Sequence, residues 1–399
     1  MAMPKIIVAV LALAAVSQAF LPHRQVVQRT QSSPRSLKIM ASATTTELES
    51  SVSDLKRVLE REYISFFDPM ERDYYSPTVS FEDPMTALAG VDAYQNNVDM
   101  LASRTLMGKL LFQDAGIVLH SVEGGEISQG TKIDDIITRW TLRVTAKVLP
   151  WSPTARFSGV SVYQVVPGGP KGVMVEHQTD YWDSINIQPG TTGDYQKVDK
   201  SVAVKDFLNQ LKPENAIAPP SAPELPYQLL RRGNGYEVRQ YPSYSSVKMS
   251  YERRDLAFEA MGSFTRGMTA LAPAIMSVED DSSKSMTWPL EYAPPGQSSP
   301  PEVTKAVERA EDPRFQAMNC QVETFPSQVI AVGSFSDAIL EPVVRKADRL
   351  LREALDRDGL RVEPGTDSRV TFAQYDAVYS MGKRRGEVWI PLKDGGHPW

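Results

Sequence analysis

The chain has 399 residues, a net charge of −6, one cysteine and four histidines. That length allows two or three domains at about 100–200 residues each, and 42% hydrophobic with 23% charged residues is the composition of soluble globular protein. Cys320 alone excludes an internal disulfide and a cysteine-based zinc or iron–sulfur centre, and the sparse histidines (His23, His120, His177, His397) argue against a multi-histidine metal cage.

Charge is unevenly spread. Residues 1–46 hold five basic residues and no acid, which leaves the body from Glu47 onward at −11. An acidic body argues against nucleic acid as a partner, because backbone binding needs a basic surface. Lys5, the apolar run Ile6 to Val16 and the small residues before Phe20 have the order of a signal peptide, and the run is too short for a spanning helix of about 20 residues. The Ser/Thr/Arg-rich stretch that follows to Thr46 has the composition of a plastid transit peptide. Together they resemble the bipartite plastid signals of algae with complex plastids, and plain secretion is the alternative.

Leu48, Val52, Leu55, Leu59 and Tyr63 recur at three- and four-residue steps and predict a first helix. Phe81 to Tyr94 reads as a second helical stretch. Ile136 to Val148, Val160 to Val166 and Gly172 to Trp182 read as strands, the first two separated by the turn at Leu149 to Gly159. Helices followed by a run of strands predict an α+β cone over 47–208. In it, His177, Asp180, Tyr163 and Trp182 are acid–base and lining candidates for the interior, a weaker reading than plain core. Residues 209–226, with five prolines, predict a semi-rigid linker.

From Tyr227 the pattern changes. Tyr236, Val238 and Tyr241 alternate with polar residues as in a half-buried strand. A helix is expected from Asp255, carrying Met261, Phe264, Arg266, Met268 and Leu271. The strand Met286-Thr287-Trp288-Pro289 follows, and Glu291 to Val303 reads as a surface loop. Strands at Val322 to Phe325 and Val329 to Phe335 come next, then a helix with Val344, Ala347, Leu351 and Leu355 that Gly359 ends. Strands Val370 to Tyr375 and Glu387 to Pro391 complete the set. No GxSxG, P-loop, HExxH or dinucleotide fingerprint is present.

The YEVRQYP strand, MTWP, the helix ending DRDGL and the closing RRGEVWIPL resemble, in order and spacing, the SOUL haem-binding family over 227–399. FEDP, GVDAY, LPWSP, RFSGVSVY and EHQTDYWD resemble a plastid domain of unknown function that precedes SOUL domains and is similar to the nuclear-transport-factor-2-like fold. The resemblance implies a helix-flanked distorted β-barrel with pseudo-twofold halves, and haem or another tetrapyrrole as ligand. A tetrapyrrole is a flat apolar disc with two carboxylates, so its site needs an apolar slot and a cationic rim. Met261, Phe264, Met268 and Leu271 are candidates for the slot, against a stronger reading of each as plain core. Arg266, Arg384 and Arg385, with Lys383, are candidates for the rim.

The family's RRNEV-like motif stands here as Arg384-Arg385-Gly386-Glu387-Val388, and Pro273 to Ser285 replaces a shorter connection, so the first helix can end differently. Tyr241, Tyr375, Tyr379, Met268 and Cys320 are the possible axial ligands, since His397 is the only histidine after the linker. The expected function is therefore a plastid tetrapyrrole carrier or buffer without histidine ligation, with possible peripheral thylakoid or plastoglobule association. No catalytic residue or metal ligand is assigned. An enzyme seated in the N-terminal cone, acting on a tetrapyrrole or other small hydrophobic substrate, is one alternative. A scaffold or lipid-associated docking protein is the other.

Overall fold

A computed structural model describes residues 45–128, 131–189, 193–213, 223–291, 301–336, 341–375, 385–395 and 397–399. The chain forms two compact units that divide between Ile217 and Ala218. The expected address segment up to residue 44, most of the proline-rich stretch, Tyr379, Lys383 and Arg384 lie outside the described residues, whereas Asn209 and Gln210 of the expected linker close a helix.

Unit 1 is a helix-covered sheet. Helix α1 (Thr45–Ile64) buries Leu48, Val52, Leu55, Leu59 and Tyr63, the stripe that the spacing predicts. The remaining elements are β1 (Tyr75–Glu82), β2 (Ala87–Ala89), α2 (Val91–Leu101), α3 (Leu106–Leu111), β3 (Phe112–Gly124), β4 (Ile136–Ala146), β5 (Thr154–Pro167), β6 (Val173–Trp182) and α4 (Lys200–Gln210). The strands order as β2-β1-β6-β5-β4-β3, with β1 parallel to β6 and the other pairs antiparallel. The helix expected over Phe81 to Tyr94 begins only at Val91. Phe81 and Glu82 end β1, and Gly90, at φ 93°, makes the turn into α2. Gly159 is a packing requirement. A Cβ there would stand 2.8 Å from the Trp140 ring and 2.7 Å from the Tyr181 carbonyl, so only glycine lets the indole lie across β5.

Unit 2 contains β7 (Gln228–Arg232), β8 (Glu237–Tyr241), β9 (Tyr244–Ser250), α5 (Arg254–Phe264), β10 (Ala274–Glu279), β11 (Lys284–Pro289), α6 (Pro301–Ala310), α7 (Pro313–Ala317), β12 (Gln321–Phe325), β13 (Gln328–Ser336), α8 (Glu341–Arg357), β14 (Arg369–Gln374) and β15 (Arg385–Pro391). They form one curled, half-barrel sheet of order β12-β9-β11-β10-β14-β15-β13-β8-β7. The centre of that order is a palindrome. The run β9-β11-β10 is mirrored by β14-β15-β13, and each half has a helix after its first strand (α5 after β9, α8 after β13). The preceding strands exchange, β8 beside β13 and β12 beside β9, which gives the duplication expected from the pattern.

Helix α5 stops at Phe264, about two turns short of the expected span to Leu271. Its N-cap is Arg253, and Met268 and Leu271 follow in the bend toward β10, which uses the inserted Pro273 to Ser285 segment as a strand. Gly359, at φ 68°, ends α8 as expected, with Leu360 N donating to Leu355 O at 2.8 Å. In the expected surface loop, residues 292–300 are outside the described set, and Pro301 already opens α6.

Candidate binding sites

Strand alternation decides what faces what in each unit. In unit 2 the pairs Val332–Trp389, Ala373–Glu387 and Ile275–Ala373 run across neighbouring strands, so these side chains share one face. That face carries Tyr241, Ile330, Val332, Leu271 and Trp389 in one cluster, with Tyr227 and Tyr375 packed against it. The other face holds both helices. Phe258 of α5 meets Trp288 at 5.8 Å between ring centroids, and Leu351 of α8 lies over Gly333 and Val388.

The expected site is thereby split. Met261 and Phe264 sit fully buried on the helix side, where Phe264 packs edge-on against Phe315 at 5.0 Å. Tyr241, Leu271, Tyr375 and Arg385 sit on the opposite face. Arg266 is exposed in the turn beyond α5 and Met268 is half-buried. Arg266 is thus off the helix that was expected to carry it, and Arg384 lies outside the described residues.

The face with Tyr241 and Arg385 is a charged and aromatic cluster. Glu387 accepts from Arg239 Nη1 and Nη2 at 3.0 and 3.1 Å, from Tyr375 OH at 2.7 Å, from Trp389 Nε1 at 3.1 Å and from Arg385 Nη2 at 3.2 Å. Arg239 also donates to Glu237 at 2.8 Å and to Tyr241 OH at 3.2 Å. Arg385 donates to Glu224 at 2.7 Å, and its Cζ lies 3.7 Å from the centre of the Tyr375 ring. Burial alone would push the Glu387 carboxyl up, but the Arg239 and Arg385 charges hold it below the usual carboxylate range. Burial, then the Glu387 charge, pushes the Tyr375 phenol well up, so it stays neutral. Arg385 is the reachable cation of the pair, with its side chain 23% exposed against 3% for Arg239.

These residues fit a tetrapyrrole's periphery, with aromatic faces for the ring and a guanidinium for a propionate. They do not offer histidine to its iron. Residues 222–391 contain none, and His397 is held beside the backbone of Arg361 and Lys393. Cys320 is buried and burial raises its thiol pKa, which disfavours a thiolate ligand. Among the described residues no group of three or more His, Cys, Asp or Glu is placed to hold a metal, and no helix is long and apolar enough to cross a membrane.

Unit 1 encloses a cavity of about 260 Å³ between the sheet and α2 and α4. Its walls include Phe81, Trp140, Leu142, Phe157, Trp182 and Phe207. Gln178, Asp180 and Trp182 alternate toward it along β6, paired across β5 with Tyr163, Ser161 and Gly159. His177 is therefore on the outer face, where its Nδ1 meets Ser80 Oγ at 2.6 Å and its Nε2 meets Thr179 Oγ1 at 2.8 Å. The expected pairing of His177 with Asp180 is refuted by that two-residue period. Asp180 Oδ1 accepts from Ser161 Oγ at 2.6 Å and from Gln178 Nε2 at 2.9 Å. Burial pushes its pKa up to about 7 despite those two donors. Asp83, also lining the cavity, is pushed up by burial to about 6.

Behind this floor Tyr63 OH bonds Thr138, Ser161 and Tyr163 at 2.8, 3.2 and 2.9 Å. Trp140 Nε1 donates to Ser161 at 2.8 Å, and Tyr94 OH to Gln178 Oε1 at 2.5 Å. Sequence reasoning missed Tyr63, Trp140, Ser161 and Gln178. Alternation along β6 was the available signal, since it sets Gln178 and Asp180 on the Trp182 side.

The fold thus defines a two-domain α+β protein, a sheet-and-helix cone followed by a duplicated, helix-flanked half-barrel. Comparison gives those units their families. Residues 222–391 match the SOUL heme-binding protein family and residues 53–177 match an uncharacterized conserved protein family, DUF2358. The C-terminal unit is a SOUL domain, of a family that binds haem. Solved structures similar to the chain include an NTF2-like superfamily protein from Salmonella enterica serovar Typhimurium (13% identity, 34% of this chain and 92% of that one, TM-score 0.26). Others are SAV2435 bound to tetraphenylphosphonium (16%, 40% and 94%, TM-score 0.25) and a hydrolase from Listeria innocua (9%, 43% and 94%, TM-score 0.30). No curated protein matches.

Proposed function

We propose that this protein binds haem or a related tetrapyrrole on the aromatic and guanidinium face of its SOUL unit, without histidine ligation, and carries or buffers it in a plastid. The observation that carries the reading is the family match over 222–391 joined to a histidine-free segment. Half-buried Tyr227 and Tyr375 supply ring faces, buried Trp389 and Tyr241 back them from the core at 4.7 Å between centroids, and Arg385 meets a propionate. Bound haem would supply its own redox and ligand chemistry. The protein's contribution is apolar contact, orientation and exclusion of water. A ligand of this size reaches submicromolar affinity at about 0.3 kcal/mol per heavy atom without a coordinate bond. The acid-free first 46 residues support the plastid address, and peripheral association with thylakoid or plastoglobule lipid is part of the same reading, in keeping with an apolar cargo.

The test is a visible absorption titration of the full chain with ferric haem and with iron-free protoporphyrin. Saturable one-to-one Soret shifts for both are expected, weakened about tenfold by Arg385→Ala, which corresponds to about 1.4 kcal/mol. A shift with haem alone would replace this reading with coordination to iron. No shift with either removes the function.

A further inference from the structure

The unit 1 cavity serves no part of that reading, and its size separates it from the tetrapyrrole. A cavity of about 150 Å³ takes a benzene, so 260 Å³ suits a molecule of about ten non-hydrogen atoms, several times smaller than a haem. A third of the residues that line it are aromatic, which favours a flat guest. Lys200 both lines the cavity and is exposed, so the opening lies at the start of α4.

The polar floor selects further. Ser161 is engaged by Tyr63, Trp140 and Asp180, and Gln178 by Tyr94 and Asp180. These donors are committed inside the protein, so an acceptor on the guest gains little from them. Asp180 differs. Both donors go to its Oδ1, and among the described residues Oδ2 receives none. Asp180 is half-buried and lines the apolar cavity, so Oδ2 is placed to accept from a donor on a guest.

We propose that the cavity of unit 1 is a second binding site, for a compact, mainly apolar, flat molecule that carries one N–H or O–H donor directed at Asp180 Oδ2. The floor holds Asp180 from both sides through Ser161 on β5 and Gln178 on β6, so the acceptor is in place before the guest arrives.

The probe pair is indole and indene, nearly identical in shape, of which only indole carries an N–H. Calorimetric titration of the full chain at pH 8 places Asp180, raised by burial to about 7, mainly in its carboxylate form. The other titratable groups facing this floor are Asp83, Tyr63, Tyr94 and Tyr163, and Lys200 stands at the mouth. Indole is expected to bind about tenfold more tightly than indene. Asp180→Asn should reduce that preference below about threefold, and Val204→Trp, which fills the cavity from α4, should abolish binding of both. The unfolding midpoint and hydrogen-exchange protection of β4 to β6 report whether unit 1 of each variant is folded. Equal binding of the two probes by the unsubstituted protein, binding of neither, or indole binding that survives Val204→Trp overturns the proposal. None of these outcomes depends on whether the SOUL unit takes haem.

Discussion

The carboxylates of the two candidate sites are held in opposite ways, although each unit also buries a paired charge, Arg139 with Asp183 at 2.7 Å in unit 1 and Arg239 with Glu387 at 3.0 Å in unit 2. In unit 2 the carboxylate of Glu387 is surrounded by two guanidiniums, a phenol and an indole N–H, and its pKa is held down. In unit 1 buried Glu62 and half-buried Asp83 and Asp180 lack a comparable cation, and desolvation pushes all three up, to about 7, about 6 and about 7. A charge that is fully paired fixes a structure, whereas a titrating group that lines an apolar cavity can meet a guest. The lesson is that unit 2's conspicuous ionic cluster is mostly scaffold, with Arg385 its reachable part, while unit 1's quieter floor keeps an acceptor in reserve.

Removing one partner of the paired cluster has the largest expected effect. Arg239→Met leaves Glu387 short of its main cation and should cost unit 2 about 3–5 kcal/mol, read as lost hydrogen-exchange protection in β8, β13 and β15. Adding Glu387→Met should recover part of that loss. Retained protection in the single variant would show that Arg385 alone suffices. In unit 1, Gly159→Ala presses on the Trp140 indole and the Tyr181 carbonyl and should cost about 1–3 kcal/mol, seen in the exchange of β4 to β6 with haem absorption unchanged.

The pH response of the units should differ in sign. Glu62 accepts from Tyr75 OH at 2.6 Å and from Glu71 N at 2.5 Å, yet burial lifts it from 4.5 to about 7. Its folded pKa lies above its unfolded value, so it is protonated mainly in the folded state between those values. Stability therefore falls as pH rises from 5 to 8, by about 2 kcal/mol for this group. Glu62→Gln should flatten that slope in denaturant midpoints of unit 1, and an unchanged slope would assign it to Asp83 and Asp180. Glu387 has the opposite sign, its contribution present above the unfolded pKa and lost on acidification. A smaller effect sharpens the functional side. Glu224→Gln releases Arg385 from its 2.7 Å partner and should tighten porphyrin binding severalfold, about 1 kcal/mol. Unchanged affinity would show that Arg385 does not meet the propionate.

Much of the fold was legible. The α1 stripe, the α8 stripe with its Gly359 stop and the strands β4, β6 and β8 stood in the spacing of apolar residues. Strands β1 and β3 were missed. In β3 the burial is graded rather than alternating, so its sequence carries little period-2 signal. Expecting α5 to reach Leu271 extended a helical spacing past Phe264, where the chain turns at Thr265 to Gly267. The candidate sites were legible as residues and not as groups. Asp180 and Trp182 were found with His177, which faces outward, and Tyr241, Tyr375 and Arg385 were found with Met261 and Phe264, which lie across the sheet.

Sequence by itself determined the classes of element, the two-unit order, the acid-free first 46 residues and the absence of histidine from the SOUL segment, because these are local or countable properties of a chain. Only the tertiary structure decided which side chains meet. Strand partners and sheet face depend on pairings between residues as far apart as Arg239 and Glu387, 148 positions, or Tyr63 and Tyr163, 100 positions. No local spacing encodes such pairings. They follow from where the folded strands bury their apolar faces, and that placement split one expected site and assembled another around Asp180.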